Sequence, residues 1–485
     1  MTYEPLRRRA TVLDAYLRFI ESGIQPFTVP GHKRRGALLD EGLGIATAGD
    51  VPFYGGIDEI KLTNRVLVDA EARAAELYEA DWCRFSTGGS THANQALCLA
   101  IGRPGDSVIV SRTLHRSTLL GLVLAGLEPV WLPPRIDPDT GYSVGTLVAD
   151  VVDALHRAPT AVAVLLTEPG YVGTIGELAG AIAAAHRRDI PVIVDQAWGA
   201  HLGFHPALPD HALALGADAM VTSIHKLLPG YSQASLLVAR TDRLDRERLN
   251  RGFDATHTTS PAGSILASID GSLALMEQRG ESLLGETLSL VTRARSRLQA
   301  EVPGILVPDE SHFGLNRFDP IRLIVSLAPT GASGIEVERL LLAEGFPVEM
   351  ADRDTVIPVV TVADTAAGVT AMTDALVRAV NRSRGTPRPL NGAVSWRILA
   401  DTVISPREAF FAEHEHVTAE QAVGRVSAEL VAPYPPGIPV LAPGERITTD
   451  LLEALQQAAR ESVRIAYASD PTLATFDVLV QQRKD

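Results

Sequence analysis

Short apolar segments alternate with helical segments through the middle of the chain, and this pattern constrains the fold more than any other feature. The apolar segments have the length of buried strands, and the segments between them have helical periodicity. Strands joined through helices run parallel, with helices covering both faces of the sheet. We therefore predict an α/β fold with a mainly parallel sheet. The predicted strands are Arg84–Ser86, Ser107–Val110, Glu128–Leu132, Ala161–Leu166, Pro191–Val194 and Ala219–Thr222, and the predicted helices between them are Ser117–Ala125, Val148–His156, Glu177–Arg188 and Ala212–Leu215.

The chain has 485 residues, which is too many for a single hydrophobic core. We expect an N-terminal arm with an amphipathic helix at residues 1–45 and a large domain at 46–302. A small α+β domain should follow at 303–381, with a strand at 321–327. Arg, Pro and Gly dominate the segment after it, which is typical of a linker, and a C-terminal α+β domain is expected at 394–485.

The net charge is −14, from 44 basic and 58 acidic residues, so we predict no nucleic-acid partner and no anionic membrane surface as a partner. The two cysteines, Cys83 and Cys98, are too few for a disulfide framework, which favours a reducing compartment. No stretch has the length and apolarity of a membrane span. We therefore expect a cytoplasmic protein.

Polar residues follow the predicted strands directly. His115, Glu168 and Asp195 each come soon after a strand, and Lys226 follows the strand that ends at Thr222. In open α/β sheets, ligands bind at the carboxyl ends of the strands. These positions are therefore the candidates for a functional site.

Lys226 lies in a short segment, Thr222–Gly230, between two apolar runs. Lysine becomes a nucleophile when an apolar pocket or a nearby cation lowers its pKa, and a Schiff base with pyridoxal phosphate is one use of such a lysine. That cofactor also needs an anion at its pyridine nitrogen, for which Asp195 is the candidate, and a planar group over its ring, for which His115 is the candidate. The alternative is a lysine at a strand end that extends to solvent.

The segment Gly88–Asn94 reads Gly-Gly-Ser-Thr-His-Ala-Asn and precedes a predicted helix. Glycines and hydroxyl side chains at a helix N-terminus can bind phosphate, because the backbone N–H groups there have no partner within the helix. A plain helix cap is the alternative. No Gly-Lys-Ser/Thr follows, so the segment is not a Walker loop.

Taken together and in order, the motifs resemble the ornithine/lysine/arginine decarboxylase family of fold type I pyridoxal-phosphate enzymes, in its short form without an N-terminal receiver-like domain. The resemblance spans nearly the whole chain. It is carried by Pro26–Lys33, Gly88–Asn94, Leu114–Ser117, Asp195–His201, Thr222–Lys226, Thr259–Pro261 and Ser427–Glu445.

The resemblance implies decarboxylation of arginine, lysine or ornithine to the corresponding amine, a reaction of polyamine metabolism. Lys226 would hold the cofactor aldehyde, Asp195 would pair with the pyridine nitrogen, and His115 would stack on the ring. Lys226 or His225 would return a proton to Cα. The residues expected to contact the cofactor are Gly89, Ser90, Thr91, His115, Asp195, Ala197, Ser223, His225 and Lys226, with Thr259 or Ser260 added from a partner subunit. The family implies a homodimer or an assembly of dimers, and no metal site is predicted.

Two departures from the family pattern bear on the substrate. Gln196 stands where the family usually has Glu, and the segment Asp50–Tyr54 lacks the usual Thr-Glu, with Asp58 and Glu59 following it. An alternative is therefore another reaction on the same cofactor, such as oxidative deamination, transamination or elimination, since a fold does not fix its chemistry. A catalytically silent relative is a further alternative, against which the intact Lys226 and Asp195 argue. Which carboxylate reaches the substrate stays open among Glu168, Glu349 and Asp352.

Overall fold

The structure is a computed structural model, and it describes residues 4–22, 30–34, 47–51, 53, 57, 65–137, 140–314, 316–389, 398–434, 438–460 and 463–481. Several residues named above lie outside these ranges. They are Pro26–Val29, Pro52, Tyr54, Asp58, Glu59 and residues 435–437 of the Ser427–Glu445 motif.

Helices and strands alternate along most of the described chain. The helices are α1 (Glu4–Arg7), α2 (Thr11–Glu21), α3 (Val66–Leu77), α4 (Gly89–Ile101), α5 (Arg116–Ala125), α6 (Val148–Arg157), α7 (Leu178–His186), α8 (Ile224–Leu227), α9 (Arg246–Thr256), α10 (Gly263–Glu301), α11 (Glu310–Phe313), α12 (Gly334–Ala343), α13 (Ala366–Arg382), α14 (Pro406–Phe411), α15 (Ala419–Ala422) and α16 (Thr449–Arg460). The strands are β1 (Trp82–Ser86), β2 (Ser107–Ser111), β3 (Glu128–Leu132), β4 (Val164–Thr167), β5 (Val192–Asp195), β6 (Ala219–Ser223), β7 (Ser235–Ala239), β8 (Val325–Ser326), β9 (Met350–Ala351), β10 (Thr355–Ile357), β11 (His414–Thr418), β12 (Ala432–Tyr434), β13 (Arg464–Ala466) and β14 (Thr475–Leu479).

The chain divides into two compact units, each made of two separate segments. The first unit comprises residues 1–100 and 193–285, and the second comprises residues 101–192 and 286–485. The expected domain boundaries at 45/46, 302/303 and 381/394 follow the order of the chain and stay predictions.

In the first unit the strand order is β1-β7-β6-β5. Strand β7 runs antiparallel to both of its neighbours, whereas β5 and β6 are parallel. The register pairs Asp195, the last residue of β5, with Val221, two residues before the end of β6 at Ser223. The carboxyl ends of β5 and β6 are therefore adjacent, and Asp195 and Ser223 lie at the same edge.

In the second unit the strand order is β4-β2-β3, and all three strands are parallel. Val110 pairs with Leu165, and Ser111 pairs with Leu132. The prediction of an α/β fold with a mainly parallel sheet is confirmed.

Two further hydrophobic clusters lie in the second unit. One is built by α12, α13 and the end of α10 on the antiparallel sheet β8-β10-β9. The other is built by α16 with strands β11 and β14, which pair antiparallel. Both clusters are α+β, as the sequence predicts for these regions.

The structure corrects several predicted elements. Residues Ala212–Leu215 form turns and not a helix, and the strand expected at 321–327 is limited to β8. Helix α4 begins at Gly89, so the predicted phosphate segment is the first turn of this helix and not a loop before it. Among the described residues, no helix combines the length and the apolarity needed to cross a membrane.

Candidate active site

Lys226 lies in the single-turn helix α8, which connects β6 to β7. All residues of β6 and β7 are buried, whereas Lys226 itself is half-buried. Its Nζ atom lies 4.3 Å from the centroid of the Trp198 ring. A cation over an aromatic face at this distance is stabilised by the ring quadrupole. The lysine is therefore held at the edge of the sheet by its strands and by Trp198.

His225 precedes the lysine, and its protonation is defined by one backbone contact. Its Nδ1 atom lies 2.9 Å from the carbonyl oxygen of Ala234, so Nδ1 carries the hydrogen and donates it. Burial lowers the pKa of His225, and the nearby charge of Lys226 lowers it further, while the Ala234 carbonyl opposes both effects. His225 is thus neutral at neutral pH, with its Nε2 atom as a hydrogen-bond acceptor.

Asp195 ends β5 and is buried, and each of its carboxylate oxygens accepts a hydrogen bond. Asn94 Nδ2 donates to Oδ2 at 2.7 Å, and the backbone N–H of Ala197 donates to Oδ1 at 3.1 Å. These two donors fix the carboxylate in one orientation. Ala197 therefore contributes to the site through its backbone.

Helix α4 starts with a glycine in the left-handed conformation, followed by a buried serine that contacts a second serine at the end of β6. Gly89 has a φ of +69° and its N–H donates to the carbonyl of Gln233 at 2.9 Å. The Oγ atoms of Ser90 and Ser223 lie 2.7 Å apart, which brings the first turn of α4 to the end of β6. Thr91 is exposed. The N-terminus of a 13-residue helix and two converging hydroxyls form a site suited to an anion.

Thr259 and Ser260 lie in an exposed segment after α9. The backbone N–H of Ser260 donates to the hydroxyl of Thr258 at 3.2 Å, so the segment is ordered by its own side chains. Their expected contact with a phosphate of a partner subunit stays a prediction.

His115 lies in the second unit, where it is the N-cap residue of α5. Its Nδ1 atom accepts the backbone N–H of Ser117 at 3.2 Å and lies 2.7 Å from the Ser117 hydroxyl. An accepting Nδ1 leaves the hydrogen on Nε2 when the ring is neutral. His115 is an exposed residue.

The structure separates the three carboxylates left open for substrate binding. Glu168 is buried and accepts the backbone N–H groups of Thr146 at 2.7 Å and of Gly176 at 3.0 Å. Asp352 accepts two backbone N–H groups of its own turn, at 2.8 Å and 2.6 Å. Glu349 is exposed, and the Tyr171 hydroxyl lies 3.4 Å from its carboxylate. Of the three, Glu349 is the most exposed.

Gln196 is engaged with the backbone. Its Nε2 donates to the carbonyl of Gly199 at 3.0 Å, and its Oε1 accepts the N–H of Ala212 at 2.8 Å. The side chain is 2% exposed. The departure from Glu at this position therefore serves the fold of residues 196–212, since a carboxylate could accept from Ala212 but could not donate to Gly199.

Two residues of the site were missed by the sequence analysis. Asn94 lies four residues after Ser90 on α4, so both side chains leave the same face of the helix, and this spacing was the available signal. Trp198 lies three residues after Asp195 in an irregular segment, where no periodicity indicates which side chain meets Lys226.

The groups brought together in the first unit indicate which chemical groups a ligand of this site should carry. They are an amine, a fixed carboxylate and an anion-binding helix terminus on the adjacent ends of β5 and β6. This donor set fits an anionic, phosphorylated aldehyde with a basic ring nitrogen.

Comparisons with known proteins identify the family. The Orn/Lys/Arg decarboxylase major domain matches residues 12–367, and the C-terminal domain of the same family matches residues 394–462. The chain is 32% identical over 471 residues to the arginine decarboxylase of Halalkalibacterium halodurans, which covers 93% of this chain and 94% of that protein. It is 31% identical over 468 residues to the arginine decarboxylase of Bacillus subtilis, covering 94% of this chain and 95% of that protein.

Solved structures show the same fold. The lysine decarboxylase LdcF of Francisella novicida superposes with a TM-score of 0.81 at 19% identity, covering 97% of this chain and 81% of that chain. SPT with PLP superposes with a TM-score of 0.52 at 18% identity, covering 67% of this chain and 79% of that chain. These neighbours have fold type I, as the sequence predicts for this chain. From the two matching domains and the full-length relatives, we conclude that the chain belongs to the Orn/Lys/Arg decarboxylase family, a family of amino-acid decarboxylases.

Proposed function

We propose that the chain is a pyridoxal-phosphate-dependent decarboxylase of a basic amino acid, with arginine ahead of lysine and ornithine. The observation that supports the cofactor most strongly is the grouping of Lys226, Asp195 and the Ser90–Ser223 pair at the ends of β5 and β6. Arginine is placed first because the relatives at 30% identity or more include several named arginine decarboxylases, whereas lysine decarboxylases match at 25% or less.

Residues of this chain would hold the cofactor at three points. Lys226 Nζ would bond to its aldehyde carbon, and Asp195 would accept the hydrogen of its ring nitrogen. The hydroxyls of Ser90 and Ser223 and the N-terminus of α4 would bind the phosphate, with Thr91, His225 and the backbone of Gly89 beside them. When bound, pyridoxal phosphate supplies an electron sink for the electron pair left on Cα as CO₂ departs.

The side chains indicate which group returns the proton to Cα. His225 uses its Nδ1 hydrogen for the Ala234 carbonyl and is kept neutral by burial, so it offers no proton on Nε2. Lys226 has its Nζ next to the Trp198 ring, which stabilises an ammonium group. We therefore assign proton delivery to Lys226 Nζ and a positioning role to His225.

The replacement of the usual Glu by Gln196 is one reason to consider a different reaction on the same cofactor, and the contacts of Gln196 weaken this reason. This residue hydrogen-bonds to the backbone of Gly199 and Ala212, which supports a structural role for its amide. The missing Thr-Glu element involves Pro52 and Tyr54, which lie outside the described residues.

The assembly and location expected from the family are part of the same proposal. A homodimer, or an assembly of dimers, would bring Thr259 or Ser260 to the phosphate of the partner subunit. The protein would act in the cytoplasm, where its amine product enters polyamine metabolism.

The test is CO₂ release from arginine, lysine and ornithine by the protein purified with pyridoxal phosphate. We expect stoichiometric CO₂ and the matching amine from one of the three, and loss of both in Lys226→Ala. Lys226→Arg is the matched control, because it keeps the positive charge near Trp198 but does not condense with an aldehyde. Turnover by either variant at the wild-type rate would refute the assignment of Lys226. Bound cofactor without CO₂ from any substrate would refute the decarboxylase activity and leave the cofactor assignment intact.

A further inference from the structure

His92 lies in the first turn of α4, in the first unit, and is 5% exposed. Its Nε2 atom lies 3.0 Å from the carbonyl oxygen of Phe253 in α9, and its Nδ1 atom lies 2.7 Å from the Oγ atom of Ser86, the last residue of β1. A carbonyl oxygen only accepts, so Nε2 carries the hydrogen of the neutral ring and Nδ1 is an acceptor. The Ser86 hydroxyl therefore donates its hydrogen to His92.

The surroundings of His92 keep the ring neutral and hold its plane. Burial lowers the pKa of His92, the hydrogen bond to the Phe253 carbonyl opposes this, and the charge of Arg84 lowers the pKa further. The imidazole and the Phe253 ring form an edge-to-face contact, with their centroids 4.6 Å apart and their planes at 76°. The imidazole therefore has one position and one tautomer at neutral pH.

Ser86 Oγ transmits the state of His92 to the start of α4. It accepts the backbone N–H of Gly88 at 3.2 Å and also lies 3.3 Å from the carbonyl oxygen of Gly89. A hydroxyl group has a single hydrogen, and of the two acceptors His92 Nδ1 is the closer one. While His92 takes this hydrogen, Ser86 holds the Gly88 N–H and does not donate to Gly89. Without that acceptor, the hydrogen would turn to the Gly89 carbonyl.

The backbone at the start of α4 is also confined by packing. A Cβ atom at Gly88 would lie 2.7 Å from the Cβ atom of His92, which is closer than side-chain atoms approach one another. On the other side, the N–H of Gly89 is held by the carbonyl of Gln233. His92 and the two glycines are therefore fitted to each other, and the path of the chain into α4 is set from both sides.

The residues that follow these glycines are the ones expected to bind the phosphate. Ser90 and Thr91 lie in the first turn of α4, where backbone N–H groups have no acceptor within the helix. The direction of these N–H groups depends on the peptide planes of Gly88 and Gly89, which Ser86 fixes.

We propose that His92, acting through Ser86, is a positioning residue that holds the first turn of α4 in the form that binds the cofactor phosphate. This inference rests on the proposed function, in which pyridoxal phosphate has its phosphate at this turn. It assigns a role to the histidine within the Gly88–Asn94 motif.

The test compares the dissociation constants of pyridoxal phosphate and of pyridoxal for the cofactor-free, full-length protein, measured from the absorbance of the aldehyde bonded to Lys226. The two aldehydes differ only in the phosphate, so a residue that positions the phosphate site affects the first constant and not the second. Two substitutions separate the contacts of His92. His92→Asn keeps an acceptor near the place of Nδ1 and so keeps the contact with Ser86, whereas His92→Gln keeps a donor near the place of Nε2 and so keeps the contact with Phe253.

We expect His92→Gln and Ser86→Ala to weaken the binding of pyridoxal phosphate roughly tenfold, the value of one hydrogen bond, and to leave the binding of pyridoxal unchanged. His92→Asn should stay within about threefold of the wild type. The double variant His92→Gln with Ser86→Ala should bind no more weakly than either single variant, because both changes act on the same hydroxyl.

His211→Gln is the matched control. His211 is another half-buried histidine of the first unit, and its Nδ1 atom accepts the backbone N–H of Ala214 at 3.1 Å. This substitution should leave both dissociation constants unchanged. If His92→Gln does not fold, as judged by its urea denaturation midpoint, Ser86→Ala carries the test.

The outcomes separate this inference from the proposed function. If the wild type prefers pyridoxal phosphate and both His92→Gln and Ser86→Ala keep that preference, the inference is wrong and the proposed function stands. If His92→Asn loses as much affinity as His92→Gln, or if the variants weaken both aldehydes equally, His92 supports the fold alone and the inference is wrong. If the wild type binds the two aldehydes equally, or neither of them, the phosphate contacts of the proposed function are refuted, and this inference with them.

Discussion

Glu168 provides a pH-dependent test of the structure, because it is a buried carboxyl group. It follows β4 and accepts the backbone N–H groups of Thr146 and Gly176. Burial raises the pKa of Glu168 to about 7 from an ordinary value of 4.5, and the two backbone hydrogen bonds oppose part of this increase. The folded protein therefore holds a proton on Glu168 at pH values where the unfolded chain has lost it.

The sign and the size of the effect follow from proton linkage. A carboxyl group with a raised pKa in the folded state contributes stability that is complete below pH 4.5 and is lost as the pH rises through about 7. Each pKa unit corresponds to about 1.4 kcal/mol, so the total loss is roughly 3–4 kcal/mol. Most of this loss falls between about pH 5 and about pH 8.

The perturbation is Glu168→Gln, which removes the titration but keeps the size of the side chain. The free energy of unfolding of the cofactor-free protein would be measured by urea denaturation at several pH values across that range. The stability of the wild type relative to the variant should fall by roughly 2–3 kcal/mol as the pH rises. Glu177→Gln is the control, because Glu177 also accepts a backbone N–H, from Val148 at 2.9 Å, but is exposed. A difference that is independent of pH, or one that grows in favour of the wild type, would refute the reasoning.

Two further predictions concern the site in the first unit. Asn94→Ala removes the side-chain donor to Asp195 Oδ2, and we expect a decrease in kcat of about tenfold or more with a smaller change in KM. Steady-state kinetics on the substrate identified by CO₂ release would check this, and an unchanged kcat would mean that the Ala197 N–H alone orients the carboxylate. Gln196→Glu replaces a donor to the Gly199 carbonyl with an acceptor, so the free energy of unfolding should fall by about 1–3 kcal/mol, and a thermal or urea midpoint equal to that of the wild type would contradict the contact.

The sheet and the principal site residues could be predicted from the sequence because the signals for both are local. An uninterrupted apolar run identifies a buried strand, and the residue after the run lies at the edge of the sheet regardless of the rest of the fold. Asp195 and Lys226 both stand at such positions after buried strands. Strand β8 was predicted too long, because a run of apolar residues at 321–327 can be buried by tertiary contacts without forming a ladder.

The contacts made by polar side chains could not be predicted in the same way. Gln196 could face either a substrate or the backbone, and the sequence does not say which, because its partners Gly199 and Ala212 meet it only after the segment has turned. The Arg112–Glu445 pair joins residues 333 positions apart, for which no periodicity exists. Such contacts depend on the tertiary fold.

Helix α4 has a consequence for the kind of cofactor that the proposed site would accept. Ser90 and Asn94 are about one helical turn apart, and each forms a hydrogen bond to the end of a different strand. Ser90 contacts Ser223 of β6, and Asn94 contacts Asp195 of β5. One turn advances by about 5.4 Å, and the helix cannot stretch. The helix therefore fixes the distance between the anion-binding end and the carboxylate end of the site. A cofactor analogue with one additional methylene between its ring and its phosphate could contact either the anion-binding end or the carboxylate end, but not both. The site would therefore select its cofactor by length as well as by charge.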